Sequence, residues 1–375
     1  MSASGNGVAV IVAAFNAEAS IRRAVASALA QGPVSNVIVV DDGSHDGTAA
    51  AARSVDDGSG RLQIVALAQN AGPARARNIA LDTVQSPYVC VLDADDFFLP
   101  GRVERLLHAG AGAPWDMLAD DIVILPDEPD AMALAELEST TAPGDAITLD
   151  LVAFVKGDTP APGESARGLG FLKPILSRRF MQQHGLRYEE SMRLGEDYAL
   201  YVRALMVGAR FHLVGACGYV AVERPGSISS HHSAEDLARF AAFDARCLAS
   251  EAGLDAAQRR AMMAHHRSTL RRLRYRRVLD CNRERGLLPA LGMLVSGPEH
   301  LPYIFRETVR AKVSAYRVVR NAGGARHTPR AARLLIGLPV AGLSLEHAGF
   351  ASSRGEEADR APQPRDANGS VATFL

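Results

Sequence analysis

Three carboxylates, Asp93, Asp95 and Asp96, fall within four positions directly after the apolar run Val89-Cys90-Val91-Leu92. Like charges this close repel, so the sequence calls for a cation beside them. An Asp-x-Asp at a strand end suits a hard divalent ion. Mg²⁺ or Mn²⁺ takes one or two carboxylates and completes its shell with substrate phosphates. A second pair, Asp41-Asp42, ends the run Val37-Ile38-Val39-Val40. A third, Glu196-Asp197, opens a stretch whose apolar positions Leu194, Tyr198, Tyr201 and Leu205 recur at helical spacing. A helix N-terminus favours acids in its first turn. Taken alone, Asp-x-Asp is equally a solvated acidic turn.

The elements that must position these groups alternate over the first hundred residues. Val8 to Phe15 reads as a strand buried on both faces. Asn16 is suited to cap the following helix, with Glu18 in its first turn, and Ile21, Val25 and Leu29 form that helix's apolar stripe. A second strand ends in Asp41 and Asp42, and Ser44 or Asp46 is placed to cap an Ala-rich helix. Residues 61–67 read as a third strand, Ala74–Val84 as a third helix, and Tyr88 onward as a fourth strand. Strand–helix alternation of this kind predicts a parallel, doubly wound sheet, whose ligands bind beyond the carboxyl ends of the strands. Asn16, Asp41, Asp42, Asp93, Asp95 and Asp96 all fall there. The acidic stretch 126–144 reads as an insertion or a loosely packed helix. Residues 234–294 read as helical, and the polar residues from Ser352 as disordered.

Composition excludes several classes. The 375 residues carry a net charge of −1, so no global field selects nucleic acid. The four cysteines are widely spaced, which argues against zinc and for a reduced, cytoplasmic protein. No basic region precedes the first apolar run, and no apolar stretch reaches the roughly 18 residues of a spanning helix. Charge is uneven, however. Arg259 to Arg285 holds ten arginines and two acids, which suits either a solvated face or contact with anionic inner-membrane lipid.

Four ordered segments, VAVIVAAFNAEASIRRAVASAL, VIVVDDGSHDGT, NAGPARARNIAL and VLDADDFFLPGRVERL, resemble the successive signatures of family 2 inverting glycosyltransferases with the GT-A fold. The likeness is greatest to bacterial exopolysaccharide enzymes of the succinoglycan type. It is strong over about residues 7–110 and resumes at FLKPILSRRFMQQHGLRYEESMRLGEDYALYVRAL and GYVAVERPGSISSHH. The resemblance implies a GT-A type α/β fold: a Rossmann-like, mostly parallel sheet with flanking helices and a C-terminal helical extension. It implies that Ala14, Phe15, Asn16 and Asp41 hold the uracil and ribose of a UDP-sugar, that Asp42 supports their turn, and that Arg77 approaches the base or diphosphate. Asp93, beside Ala94, would contact ribose, Asp95 would ligate Mg²⁺ or Mn²⁺, and Asp96 would support it or cap a helix. Asp197 would be the general base, with Glu196 binding or orienting the acceptor. Arg224 would meet phosphate, and His231 or His232 could complete the metal shell.

The implied domains are 1–110 for the nucleotide sugar, 111–233 for the acceptor, 234–320 as the helical extension and 321–375 as a weakly structured tail. A nicotinamide dehydrogenase is rejected, because a Gly-x-Gly-x-x-Gly turn is missing after the first strand. An aspartyl phosphatase leaves the other motifs unexplained. The expected activity is transfer of a hexose from a UDP-sugar to a glycan or lipid-linked glycan at the cytoplasmic face of a bacterial membrane. The alternative is an inactive nucleotide-sugar-binding subunit of an assembly complex.

Overall fold

The computed structural model describes residues 7–125, 137, 146–159, 168–223, 233–250, 253–295, 301–309 and 332–337. Apolar runs form its first four strands, β1 (Val8–Ala14), β2 (Val34–Asp41), β3 (Leu62–Ala66) and β4 (Tyr88–Val91); β1 and β4 are almost wholly buried, whereas β3, at the edge, is only half-buried. These four pair in parallel in the order β3-β2-β1-β4. Helices α1 (Ile21–Leu29), α2 (Thr48–Arg53) and α3 (Pro73–Thr83) connect them. Ile21, Val25 and Leu29 are buried against the sheet, as their spacing predicts.

Beyond β4 the sheet changes character. β5 (Phe97–Phe98), β6 (Met117–Leu125), β7 (Ile147–Leu149), β8 (Ile175–Ser177) and β9 (Phe211–Val222) continue it in the order β4-β8-β6-β9-β5, with β7 on β9. β8 is antiparallel to both β4 and β6, whereas β6 and β9 are parallel. The chain therefore leaves the end of β4 through the three carboxylates and joins the far edge at β5, which pairs with β9. The sheet runs unbroken through the boundary expected near residue 110. Between β5 and β6, α4 (Arg102–Ala109) buries Arg102 completely against Asp120 of β6, at 2.6 Å.

Three expectations need correction. Asn16 does not cap α1, which begins after Ser20; Asn16 instead turns its backbone left-handed (φ 49°) and accepts the His45 N–H. Asp96 caps no helix either; it accepts from the Tyr219 hydroxyl and the Val222 N–H. Within the stretch expected to be weakly structured, residues 332–337 form β10 (Arg333–Leu334), antiparallel to β6. The reason lies in β6: Asp121 is fully buried, and both its oxygens are satisfied by the N–H groups of Ile336 and Gly337 at 2.9 Å.

The C-terminal helices are Ala234–Ala249, Ala256–Arg285 and Leu287–Val295, the first two opened by reciprocal capping boxes at Ser233 and Asp255. The 30-residue helix packs on the first helix and on the helix Leu151–Asp158. The expected insertion at 126–144, apart from Leu137, and the tail from Ser352 lie outside the described residues.

Candidate active site

The site lies beyond the carboxyl ends of β1, β2 and β4. The β1 and β2 ends are tied together by main-chain bonds. Ala14 stands opposite Asp41 in register, and the Asp42 N–H donates to the Ala14 carbonyl at 2.8 Å. Both Asp42 oxygens accept main-chain N–H groups, from Ala71 and Gly72, at 2.8 Å. That fixes the entry to α3, where Gly72 turns left-handed (φ 92°) and Pro73 occupies the first helical position. Asp41 accepts the Ser44 N–H, and the Asn16 N–H donates to Ser44 Oγ. Phe15 is left 44% exposed, edge-on to His45 with ring centroids 6.3 Å apart. The result is a rigid shelf with an exposed aromatic face.

At the β4 end the carboxylates meet side-chain cations. Arg77, buried on α3, is the hub. Its Nη1 donates to Glu196 Oε1 at 2.6 Å and Asp197 Oδ1 at 3.1 Å, and its Nη2 to Asp93 Oδ1 at 2.8 Å. Lys173 Nζ donates to Asp197 Oδ2 at 2.5 Å and lies 3.1 Å from Asp93 Oδ2. Three carboxylates thus share two cations. Burial raises the Asp93 carboxyl, but Lys173 and then Arg77 outweigh it and hold it down at about 2. Burial also lowers Lys173 and Arg77, yet Asp197 first and the other acids after it keep both firmly charged. Glu196 is pushed upward by burial, with Arg77 pulling against it and Asp197 adding to the rise.

Each element places its member for a local reason. Tyr188 lies beneath the Arg77 guanidinium, 5.3 Å from ring centroid to carbon, and Asn78 on α3 holds the Tyr188 main chain from both sides. The Lys173 carbonyl accepts from Arg102. The helix Glu196–Met206 starts at Gly195, which is left-handed (φ 78°). A Cβ there would stand 1.7 Å from Phe240 Cε2, so the helical extension leaves room for glycine alone just before the acid pair. Tyr198 stacks on both Phe240 and His265, and His265 Nδ1 lies 2.8 Å from Asp244. The C-terminal helices therefore clamp the start of the acid-bearing helix.

The opening run of three carboxylates has three fates. Asp93 joins the cation network. Asp96, 7% exposed, is raised well above the usual carboxylate range by burial, then by Asp93 and Asp95. Asp95 is half-buried, and its carbonyl accepts from Arg23 at 3.1 Å. Ala94 is buried between them. Among the described residues no group of three or more His, Cys, Asp or Glu side chains could hold a metal ion. The acids here are thus the half-buried Asp95 between Asp93 and Asp96, a donor set that fits a hard ion completed by substrate phosphates and not a prebuilt protein cage. Arg224, His231 and His232 lie outside the described residues. A cavity of about 320 Å³ nearby, lined by Asn70, Gly72, Glu190, Arg193 and Arg239 among others, touches none of the network residues.

The structure brings together Arg77, Asp93, Glu196 and Asp197, which the sequence named separately, and adds Lys173, Tyr188 and Phe240, which it did not name. Lys173 carried a signal: it is one of three lysines in the chain and interrupts the apolar run Phe171-Leu172…Pro174-Ile175-Leu176. A lone lysine in a buried stretch needs a carboxylate partner. Tyr188 and Phe240 carried none, since aromatic residues are ordinary core material.

A half-parallel sheet with carboxylates beyond its strand ends and an acid pair opening a later helix defines a GT-A type fold. The described chain aligns with the solved structure of residues 1–349 of S. aureus TarS at a TM-score of 0.51, with 17% identity over 77% of this chain and 78% of that one. The glycosyl transferase family 2 model matches residues 9–149. The succinoglycan biosynthesis protein ExoU of Rhizobium meliloti is 42% identical over 310 residues, covering 83% of this chain and 89% of that protein. ExoO of the same organism, also a succinoglycan biosynthesis protein, is 36% identical over 59% of this chain and 62% of its own length. The chain belongs to glycosyl transferase family 2 and is a glycosyltransferase.

Proposed function

We propose that the chain transfers a hexose from a UDP-sugar, with inversion, to a glycan or lipid-linked glycan acceptor in bacterial exopolysaccharide assembly, working at the cytoplasmic face of the membrane. The observation that carries this reading is the shared network of Asp93, Glu196 and Asp197 around Arg77 and Lys173. The succinoglycan relatives support the acceptor class, and a second TarS structure, solved with UDP-GlcNAc, is in keeping with a UDP donor.

In this reading the shelf at Ala14, Phe15, Asn16 and Asp41, braced by Asp42, takes the uracil and ribose. Asp93 reaches the ribose beside Ala94, and Arg224 meets phosphate. Arg77 and Lys173 are exchangeable cations. Donor phosphates compete for them, and as they turn towards the donor they uncover Asp197, whose oxygens they otherwise occupy. Asp197 then accepts the acceptor's O–H proton. The freed oxygen forms a bond to the anomeric carbon from the face opposite the diphosphate. The carbon–oxygen bond to UDP breaks, and its electron pair leaves on the phosphate. Glu196 orients the acceptor. Asp95 would hold Mg²⁺ or Mn²⁺, which would supply positive charge for the departing diphosphate.

One calorimetric and kinetic experiment tests these roles. Asn cannot take a proton, so Asp197→Asn should keep UDP-sugar affinity and lose transfer by about 10²–10⁴-fold at saturating donor. Near-normal turnover would move the base to Glu196, whose raised carboxyl makes it the next candidate. Run on Asp95→Ala, the same calorimetry should lose the Mn²⁺ dependence of UDP binding; unchanged dependence would remove Asp95 from the metal.

A further inference from the structure

The basic stretch expected to meet lipid is not uniformly available. Arg259 donates to the Leu248 carbonyl, Arg267 to that of Met263 and Arg274 to that of Met293, while Arg276 and, more loosely at 3.6 Å, Arg283 pair with Asp280. Exposed arginines remain towards the end of the long helix, at Arg271, Arg277, Arg283 and Arg285. There the chemistry changes within two residues. Gly286 (φ 86°) breaks the helix, and Leu287–Val295 begins immediately.

That short helix and helical residues 301–309 are apolar on both sides. Their inner sides form a small cluster, Val278, Ala290 and Ile304, with Tyr275, Met293 and Tyr303 packed around it. Their outer side is left in water. Leu287 is 65% exposed, Leu288 81% and Phe305 72%, with Leu291, Leu301 and Val309 between 41% and 44%. Leu301, Phe305 and Val309 recur every four residues, so they share one face. A contiguous apolar face of this kind marks an interaction surface. Charge selects the partner. Residues 271–295 and 301–309 hold eight arginines against three acids, and Arg306 flanks Phe305 directly. No described helix is long and apolar enough to cross a membrane. Leucine and phenylalanine on an outer face, rimmed by arginine, is the pattern of a segment lying in a bilayer interface.

We infer that the outer face of residues 287–295 and 301–309 docks on an anionic bilayer, with Leu287, Leu288 and Phe305 entering the headgroup boundary and Arg283, Arg285 and Arg306 meeting lipid phosphates. The surface is separate from the donor site and does not depend on how that site is read. The long helix joins the two: from His265, which stacks on Tyr198 beside the acid pair, to its last residue Arg285 are 20 positions, about 30 Å at 1.5 Å per helical residue.

The test is flotation of the full chain with phosphatidylglycerol-containing vesicles and with purely phosphatidylcholine vesicles. The wild type should float with the anionic vesicles and far less with the neutral ones. Leu288→Ser with Phe305→Ser should lower partitioning by roughly ten-fold or more, since these two side chains carry much of the apolar area that leaves water. Arg283→Gln with Arg285→Gln should lower it too, and salt should then have less left to remove. Both double variants should bind UDP as the wild type does, which shows that they fold and separates this surface from the donor site. Unchanged flotation of the Leu288/Phe305 variant overturns the inference, as does equal binding of the wild type to neutral vesicles. A wild-type dimer that this variant makes monomeric would assign the face to a second copy of the chain and overturn it equally.

Discussion

The ends of β1 and β2 and the end of β4 lie side by side and use their acids in opposite ways. On the first side Asp41, Asp42, Asp46 and Asn16 all accept main-chain N–H groups. Such bonds change only if the backbone moves. On the second side Asp93, Glu196 and Asp197 accept from the side chains of Arg77 and Lys173. Those bonds change when a side chain rotates or another anion arrives. The first side is a frame, and the second holds charge that can be redistributed. Two cations against three acids, two of them buried, leave the second side with an excess of negative charge.

The sharpest way to break that comparison is to remove a cation. Lys173→Met leaves Asp93 and Asp197 with Arg77 alone, 6% exposed Lys173 giving way to an apolar side chain of similar length. Breaking a buried pair by deleting one partner costs about 3–5 kcal/mol. Urea unfolding near pH 7 should record a loss of that size, and Lys173→Arg should recover part of it because the charge returns. A loss below about 1 kcal/mol would mean that the three acids do not depend on a second cation.

How far the sequence revealed these two sides follows from what each is made of. The frame was legible in outline because strand ends sit at fixed places in an alternating pattern, so Asp41 and Asp42 could be placed beyond β2 before any coordinate was known. The partner of Asp42 was not legible. It is the main chain of Ala71 and Gly72, about thirty positions away, and no side chain announces it. Arg77, Asp93, Glu196 and Asp197 were legible one at a time through their motifs. Their assembly around Lys173 depends on β8 entering antiparallel between β4 and β6, a sheet reversal that apolar periodicity does not encode. Gly195 carried its own reason for being glycine, but the second reason, the Phe240 ring, comes from a helix 40 positions later.

The frame is probed by Asp42→Ala. It leaves the Ala71 and Gly72 N–H groups without their acceptor and loosens the entry to α3. An unsatisfied buried donor costs about 1–3 kcal/mol, so the expected result is a stability loss in that range. Transfer should fall only as the folded fraction falls. This is the opposite signature to Asp197→Asn, where turnover falls far more than the folded fraction does. Turnover lost from a fully folded Asp42→Ala protein would move Asp42 from the frame to the reacting side.

The smallest effect separates two acids three residues apart. Asp93 is held down at about 2 by Lys173 and Arg77 against its burial, whereas Asp96 is raised well above the usual range by burial and by the neighbouring acids. Linkage gives these opposite signs. Asp93 adds stability above the unfolded value of about 4, and that contribution disappears as pH falls from about 4 towards 2. For Asp96 the folded state holds its proton more tightly than the unfolded chain does. Stability therefore declines as pH rises from about 4 towards the raised folded value. Asn at 96 can still accept the Val222 N–H through its carbonyl and can donate its amide to the Tyr219 hydroxyl, while carrying no charge to bury. Asp96→Asn should accordingly raise the melting temperature slightly near pH 7.5, with the gain shrinking to nothing by about pH 3, where the wild-type carboxyl is protonated in both states. Melting curves across that interval decide it. A gain that is independent of pH would mean that packing, not charge, separates the two side chains, and a loss near pH 7.5 would mean that the Tyr219 hydroxyl requires an ionised partner.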